Sequence, residues 1–158
     1  MKLAEILDPL RIAVVDRPVA AREDVLHLVA DLLARPDADP PLTADAVFAA
    51  LLEREMLAST AVGDGVAFPH AKFPGLGAAR AAMALLPAPR TDLGAADGRA
   101  VRIVLALIVP PDSVGEHLKM LGAYSRRLRE PSVREALLAA RDAPAVLRLV
   151  GDLHVVSR

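Results

Sequence analysis

The stretch Arg54-Glu55-Met56-Leu57-Ala58-Ser59-Thr60-Ala61-Val62-Gly63-Asp64-Gly65-Val66-Ala67-Phe68-Pro69-His70-Ala71-Lys72-Phe73-Pro74-Gly75 runs from the end of a helix, through a Gly-Asp-Gly turn, into a short apolar strand. That strand, Val66-Ala67-Phe68, is predicted to stop at Pro69, which has no ladder donor, and to present His70 at its end. Such an ending is awkward to build for packing alone, so the segment reads as one that aims a side chain.

Upstream, the pattern predicts a strand over residues 11–15 and an amphipathic helix over 21–35 with Val25, Leu26, Val29, Leu32 and Leu33 on one broad face. His27 and Asp31 fall on the opposite face, where a solvated histidine beside a carboxylate is expected. The prolines of residues 36–41 mark a connecting loop. Thr43 is the expected N-cap of a helix reaching about Met56, with Val47, Leu51 and Leu52 turned inward and Arg54 near its C-terminal end.

Downstream, a small-residue strand over 81–86 ends at Pro87 and Pro89, and Asp97-Gly98 forms a tight turn. The run 101–109 shows no polar alternation from Ile103 onward, which predicts a central strand covered on both faces. Ser113 and Glu116 are spaced as a capping box for a helix starting near Val114, with His117 in its first turn. Leu118, Leu121 and Leu128 are its expected buried stripe, and His117, Leu121 and Tyr124 its edge. A second capping box, Ser132 with Glu135, opens a helix to about Ala140, and Asp142 caps a last one ending near Gly151. Residues 154–158, including an uninvolved His154, are expected to form a frayed tail after a single domain of residues 1–153. The elements add up to an α/β domain with one mixed sheet of about four or five strands flanked by helices.

Composition narrows the function. A chain of 158 residues buries roughly 70% of its extended-chain surface, enough for one real core. Aromatics are only 3%, too few and scattered to stack single-stranded nucleic acid, and a net charge of −1 supplies no field for a phosphate backbone or anionic membrane. Without cysteine there is no disulfide, thiolate metal site or thiol nucleophile. No apolar run is long enough to span a bilayer, so a soluble, cytoplasmic protein without nucleic-acid partners or membrane insertion is expected.

A histidine is well suited to accept a phosphoryl group reversibly, because its neutral ring offers a lone pair at an ordinary pKa of about 6.5. The oxygens it receives need positioned donors more than covalent machinery. Arg54 offers a planar fork, Ser59 and Thr60 offer hydroxyl or backbone donors, and His117 at a helix start adds free N–H groups and a favourable dipole. Blander readings stand beside these: His70 as a satisfied strand-end residue, His117 as a structural histidine, and Arg54 paired with Glu53, Glu55 or Asp45. A metal held by His70, His117 and Asp64 or Glu116 is disfavoured, since no histidines recur at i, i+3 or i, i+4. Neither a metal nor a cofactor is expected.

With Arg54-Glu55, Ser59-Thr60, Gly63-x-Gly65 and Ala67-Phe68-Pro69-His70, the opening stretch resembles the signature of the type-2 enzyme IIA domains of the bacterial phosphoenolpyruvate-dependent phosphotransferase system, which serve fructose, mannitol and nitrogen regulation. A second anchor, Val109-Pro110-Pro111 through His117-Leu118, is similar to that family's strand, loop and His-Leu segment, and the likeness extends from about Leu3 to Leu153. The resemblance implies that His70 is phosphorylated, that His117 is its active-site partner and that Arg54 binds phosphate. It also implies a phosphoryl donor, HPr or its nitrogen-branch counterpart, and an acceptor, an enzyme IIB cysteine or a regulatory target protein. Ala61, Asp64 and Ala71 depart from the usual Gly, Asn and Gly. Asp64, taken with the phosphate-binding set, either orients an imidazole or only caps its own turn. The segments Leu107-Ile108-Val109-Pro110-Pro111-Asp112 and Ser125-Arg126-Arg127-Leu128 look more like the regulatory group; a fructose- or mannitol-type transport component and a non-catalytic binding module are the alternatives.

Overall fold

In the computed structural model, which describes residues 2–87 and 93–153, the apolar run predicted as a central strand is the axis of the sheet. Strand β6, Ile103–Val109, is buried along its whole length. Because side chains alternate across a strand, Ile103, Leu105, Leu107 and Val109 enter one core with Tyr124, Leu128, Val146 and Val150, while Val104, Ala106 and Ile108 enter another with Leu26, Val29, Val47 and Leu51. The sheet therefore divides two helical layers. Helices α1 (Arg22–Leu33) and α2 (Ala44–Leu57) cover one face; α3 (Val114–Leu128), α4 (Pro131–Ala139) and α5 (Ala143–Val150) cover the other.

The remaining strands are β1 (Leu7–Val14), β2 (Ala61–Gly63), β3 (Val66–Ala67), β4 (His70–Lys72) and β5 (Arg80–Leu85). Their order is β1-β5-β6-β3-β2, with β4 also beside β6. β1 runs parallel to β5, β5 antiparallel to β6, and both β3 and β4 parallel to β6. The sheet is mixed, as expected, and has six strands among the described residues because the opening stretch contributes three short ones.

His70 does not hang from a strand end. Residues 66–72 follow one edge of β6, Val66 opposite Ile103 and His70 opposite Leu107, with a break at Phe68-Pro69. The break has a local cause: Pro69 has no N–H, and the Phe68 N–H turns away to donate to the Thr60 carbonyl at 3.0 Å. The Phe68 carbonyl is thereby left out of the ladder, and His70 uses it.

Thr43 and Asp142 cap α2 and α5 as predicted, accepting from the Ala46 and Ala145 backbone N–H groups at 3.2 and 2.8 Å. The two capping boxes do not form. A 3-10 turn, Pro111–Ser113, leads into α3 with no bond from the Ser113 side chain, and α4 starts from Glu130 with Pro131 at its first position. The buried stripe of α3 is His117, Met120, Tyr124 and Leu128, whereas Leu118 is 59% exposed. His27 is not simply solvated; its ring stacks on Phe48 with centroids 3.6 Å apart, tying α1 to α2. Pro89 and the tail from His154 lie outside the described residues.

Candidate functional site

Three elements converge at the C-terminal end of β6. The last turn of α2 brings Arg54, the first residue of β4 is His70, and the first turn of α3 brings His117. They line one cleft of about 470 Å³, with Glu53 and Lys72 as further charged groups and Leu57 and Leu118 on an apolar rim. The structure thus brings together Arg54, His70 and His117, the three residues singled out in the sequence.

Each histidine is fixed by one nitrogen. His70 Nδ1 lies 2.7 Å from the Phe68 carbonyl oxygen, and His117 Nδ1 lies 2.5 Å from that of Ser113. A carbonyl oxygen only accepts, so in both rings Nδ1 carries the proton and donates it. When the ring is neutral, its lone pair is on Nε2. Burial pushes the His70 pKa below the ordinary imidazole value; the Phe68 carbonyl acts against it, Arg54 reinforces it, and the Glu55 charge opposes it. The net direction favours neutral His70, a nucleophile, at neutral pH.

Arg54 forms no ion pair among the described residues. Its Nη1 donates to the Ala58 carbonyl at 3.0 Å, closing the end of α2. The anchor fixes one corner of the guanidinium and leaves donors on the fork for an anion. A phosphoryl group in the cleft would thus meet a neutral ring nitrogen, a second imidazole and a guanidinium.

The other three expected phosphate ligands are elsewhere. The Ser59 hydroxyl donates to the Leu93 carbonyl and accepts from the Ala61 N–H at 3.2 Å, facing a separate hollow beside Arg22 and Gly94. Thr60 is buried, and its hydroxyl is spent on Glu55 at 2.5 Å. Asp64 lies at the opposite end of the sheet. Val66 and His70 face positions four residues apart on β6, or about 13 Å at ~3.3 Å per residue, and Asp64 precedes Val66. Its carboxylate instead receives Arg129 Nε at 2.9 Å and Arg99 Nη1 at 3.0 Å, with Arg134 Nη1 at 3.4 Å. The Arg129 bond, reinforced by Arg134 and Arg99, holds the Asp64 pKa below the ordinary carboxylate value. Asp64 therefore orients neither histidine.

Glu55, offered with Glu53 and Asp45 as an alternative surface partner for Arg54, is not at the surface. It is 4% exposed and sits two turns beyond Val47 and one beyond Leu51, the inward stripe of α2. Its position at i+8 and i+4 from those residues was the available signal.

The family model for the phosphoenolpyruvate-dependent sugar phosphotransferase system, EIIA 2, matches residues 5–152. A nitrogen regulatory protein of Pseudomonas aeruginosa is 35% identical over 154 residues, covering 98% of this chain and 97% of that protein. A fructose-specific EIIA component of Haloferax volcanii is 33% identical over 147 residues, covering 93% and 94%. The crystal structure of nitrogen regulatory protein IIA-Ntr from Neisseria meningitidis superposes with a TM-score of 0.84 at 32% identity, covering 94% and 98%. Sequence, fold and the extent of the match agree, and the chain belongs to the EIIA type-2 family of the phosphotransferase system.

Proposed function

We propose that this phosphotransferase-system IIA protein is a phosphohistidine carrier with His70 Nε2 as its acceptor atom. The observation that carries the reading is the hydrogen bond from His70 Nδ1 to the Phe68 carbonyl, which assigns the lone pair to Nε2 in a cleft shared with Arg54 and His117. In the transfer, that lone pair forms a bond to phosphorus while the phosphorus–nitrogen bond of a phosphohistidine on an HPr-like carrier breaks. The electron pair returns to the donor ring. Arg54 and His117 hold the oxygens as charge redistributes. Handing the group on to an enzyme IIB cysteine, or holding it while binding a regulatory target, uses the same atoms.

Likeness to the two nitrogen regulatory proteins favours the regulatory branch. Transport is the second reading, favoured by the fructose-specific relative. Incubation with phosphoenolpyruvate, enzyme I and either a sugar-branch or a nitrogen-branch HPr should yield one acid-labile phosphoryl group, formed faster from the nitrogen-branch carrier. No modification with either carrier would leave the non-catalytic binding module as the better account. A faster reaction with the sugar-branch carrier would favour transport.

A further inference from the structure

A buried carboxylate is costly unless its oxygens are hydrogen-bonded, and among the described residues the hydrogen bonds to Glu55 come from Thr60. Its carboxylate receives the Thr60 N–H, at 3.2 and 3.3 Å from the two oxygens, and the Thr60 hydroxyl at 2.5 Å. Thr60 is in turn connected to both principal groups of the cleft. Its carbonyl accepts the Phe68 N–H at 3.0 Å, and the Phe68 carbonyl accepts His70 Nδ1–H at 2.7 Å. Two residues before Thr60, the Ala58 carbonyl accepts Arg54 Nη1–H at 3.0 Å. The His70 ring and the Arg54 fork are therefore both hung on backbone carbonyls in segments that Thr60 ties down.

We propose that Glu55 and Thr60 are positioning residues for the phosphoryl site, a buried clamp that sets the direction of the His70 ring through Phe68 and of the Arg54 guanidinium through Ala58. The proposal rests on His70 as the acceptor. Neither residue lines the His70 cleft, so neither touches the phosphoryl group. What they control is whether Phe68 presents its carbonyl to Nδ1 and so keeps the lone pair on Nε2. Glu55 has a second effect, because its charge opposes the burial that lowers the His70 pKa. A neutral amide of the same size separates the charge from the shape.

The test compares Thr60→Val, which removes the hydroxyl, Thr60→Ser, which keeps it, and Glu55→Gln. Nitrogen NMR of the histidine rings in the unphosphorylated protein should find His70 in the Nδ1–H tautomer in the wild type and in Thr60→Ser. Thr60→Val and Glu55→Gln should move it toward a mixture. In the same two variants kcat for phosphoryl uptake should fall about 10-fold or more, since small misplacements of reacting groups cost on this scale, with KM for the carrier little changed. If Thr60→Val does not fold, Glu55→Gln decides alone. A wild-type tautomer and rate in Glu55→Gln, a Thr60→Ser as impaired as Thr60→Val, or a changed tautomer without a slower reaction would each overturn the clamp. Should the wild type itself take up no phosphoryl group, the carrier reading fails, and the ring spectra still decide whether the clamp sets the tautomer.

Discussion

The two ends of β6 carry similar side chains put to opposite uses. Near its N-terminal end, Asp64 stands at φ 57° between Gly63 and Gly65, at 97° and 77°, a left-handed run that glycine tolerates readily. Its N–H donates to Asp97 Oδ2 at 2.8 Å, its carboxylate is shared by Arg129, Arg99 and Arg134, and Arg134 Nη1 also donates to the Arg129 carbonyl at 2.8 Å. Acid and base consume each other's bonding capacity, and the result joins the β2–β3 turn to the α3–α4 junction. At the C-terminal end, Arg54, His70 and His117 are each fixed by one backbone carbonyl, which holds them in place and leaves donors or lone pairs over. A structural polar cluster and a chemical one differ here less in residue type than in what remains unbonded.

The sharpest way to break that contrast is to remove its centre. His70→Ala should abolish phosphoryl uptake entirely, read as loss of the acid-labile label; label surviving the change would shift the chemistry to another residue. His117→Ala should slow uptake by about 100-fold while the label stays on His70, a loss within the range of a positioned acid–base group. Stable phosphate on His117 in the wild type would reverse the two roles. Arg54→Lys retains the charge and loses the fork, so uptake should fall about 10-fold, ~1.4 kcal/mol in activation free energy, with little change in melting temperature. An unchanged rate would make Arg54 only a helix-end cap.

Acid pH should sharpen the comparison. Since burial lowers the His70 pKa, uptake should persist below the ordinary imidazole value of about 6.5 and decline only as pH falls through the depressed folded value. The stability sign is the same. The unfolded ring binds the proton first, so the contribution of His70 to folding is fully present above the unfolded pKa and is lost as pH falls through the folded one. The charged and titratable groups of its cleft, Arg54, Glu53, Lys72 and His117, together with the Glu55 charge outside the cleft, make the profile composite, and a titration following the His70 ring signal isolates it.

The smallest effect belongs to Asp64→Asn. Neither histidine should titrate differently and phosphoryl uptake should be unchanged, because the carboxylate is at the far end of β6. Stability should change instead, and only above the acid range: a depressed carboxylate pKa contributes stability above its unfolded value and loses it as pH falls through the folded one. A shifted pKa at either histidine would break the separation of the two ends.

Much of this was legible in the sequence because it is set locally. The unbroken run from Ile103 predicts a strand with two buried faces, and Thr43 and Asp142 act on N–H groups within their own helices. Arg54, His70 and His117, each picked out by its motif, line one cleft. What stayed hidden depends on contacts distant in sequence. Ser59 turns to the Leu93 carbonyl, Asp64 to arginines 35 to 70 positions away, and His27 to the Phe48 ring on the neighbouring helix. Thr60 and Glu55 were hidden differently: hydroxyls beside an arginine suggest donors for phosphate, yet the same pair satisfies its own bonds inside the protein. The unformed capping boxes show that residue spacing alone does not bend a serine side chain back onto its helix.

Phosphorylated protein enriched in nitrogen-15 tests the role of the unbonded His70 nitrogen directly. Long-range ring spectra should assign phosphorus to Nε2 of His70, with Nδ1 still protonated and its proton held by the Phe68 carbonyl. Phosphorus on Nδ1 of His70, or on either nitrogen of His117, would contradict it.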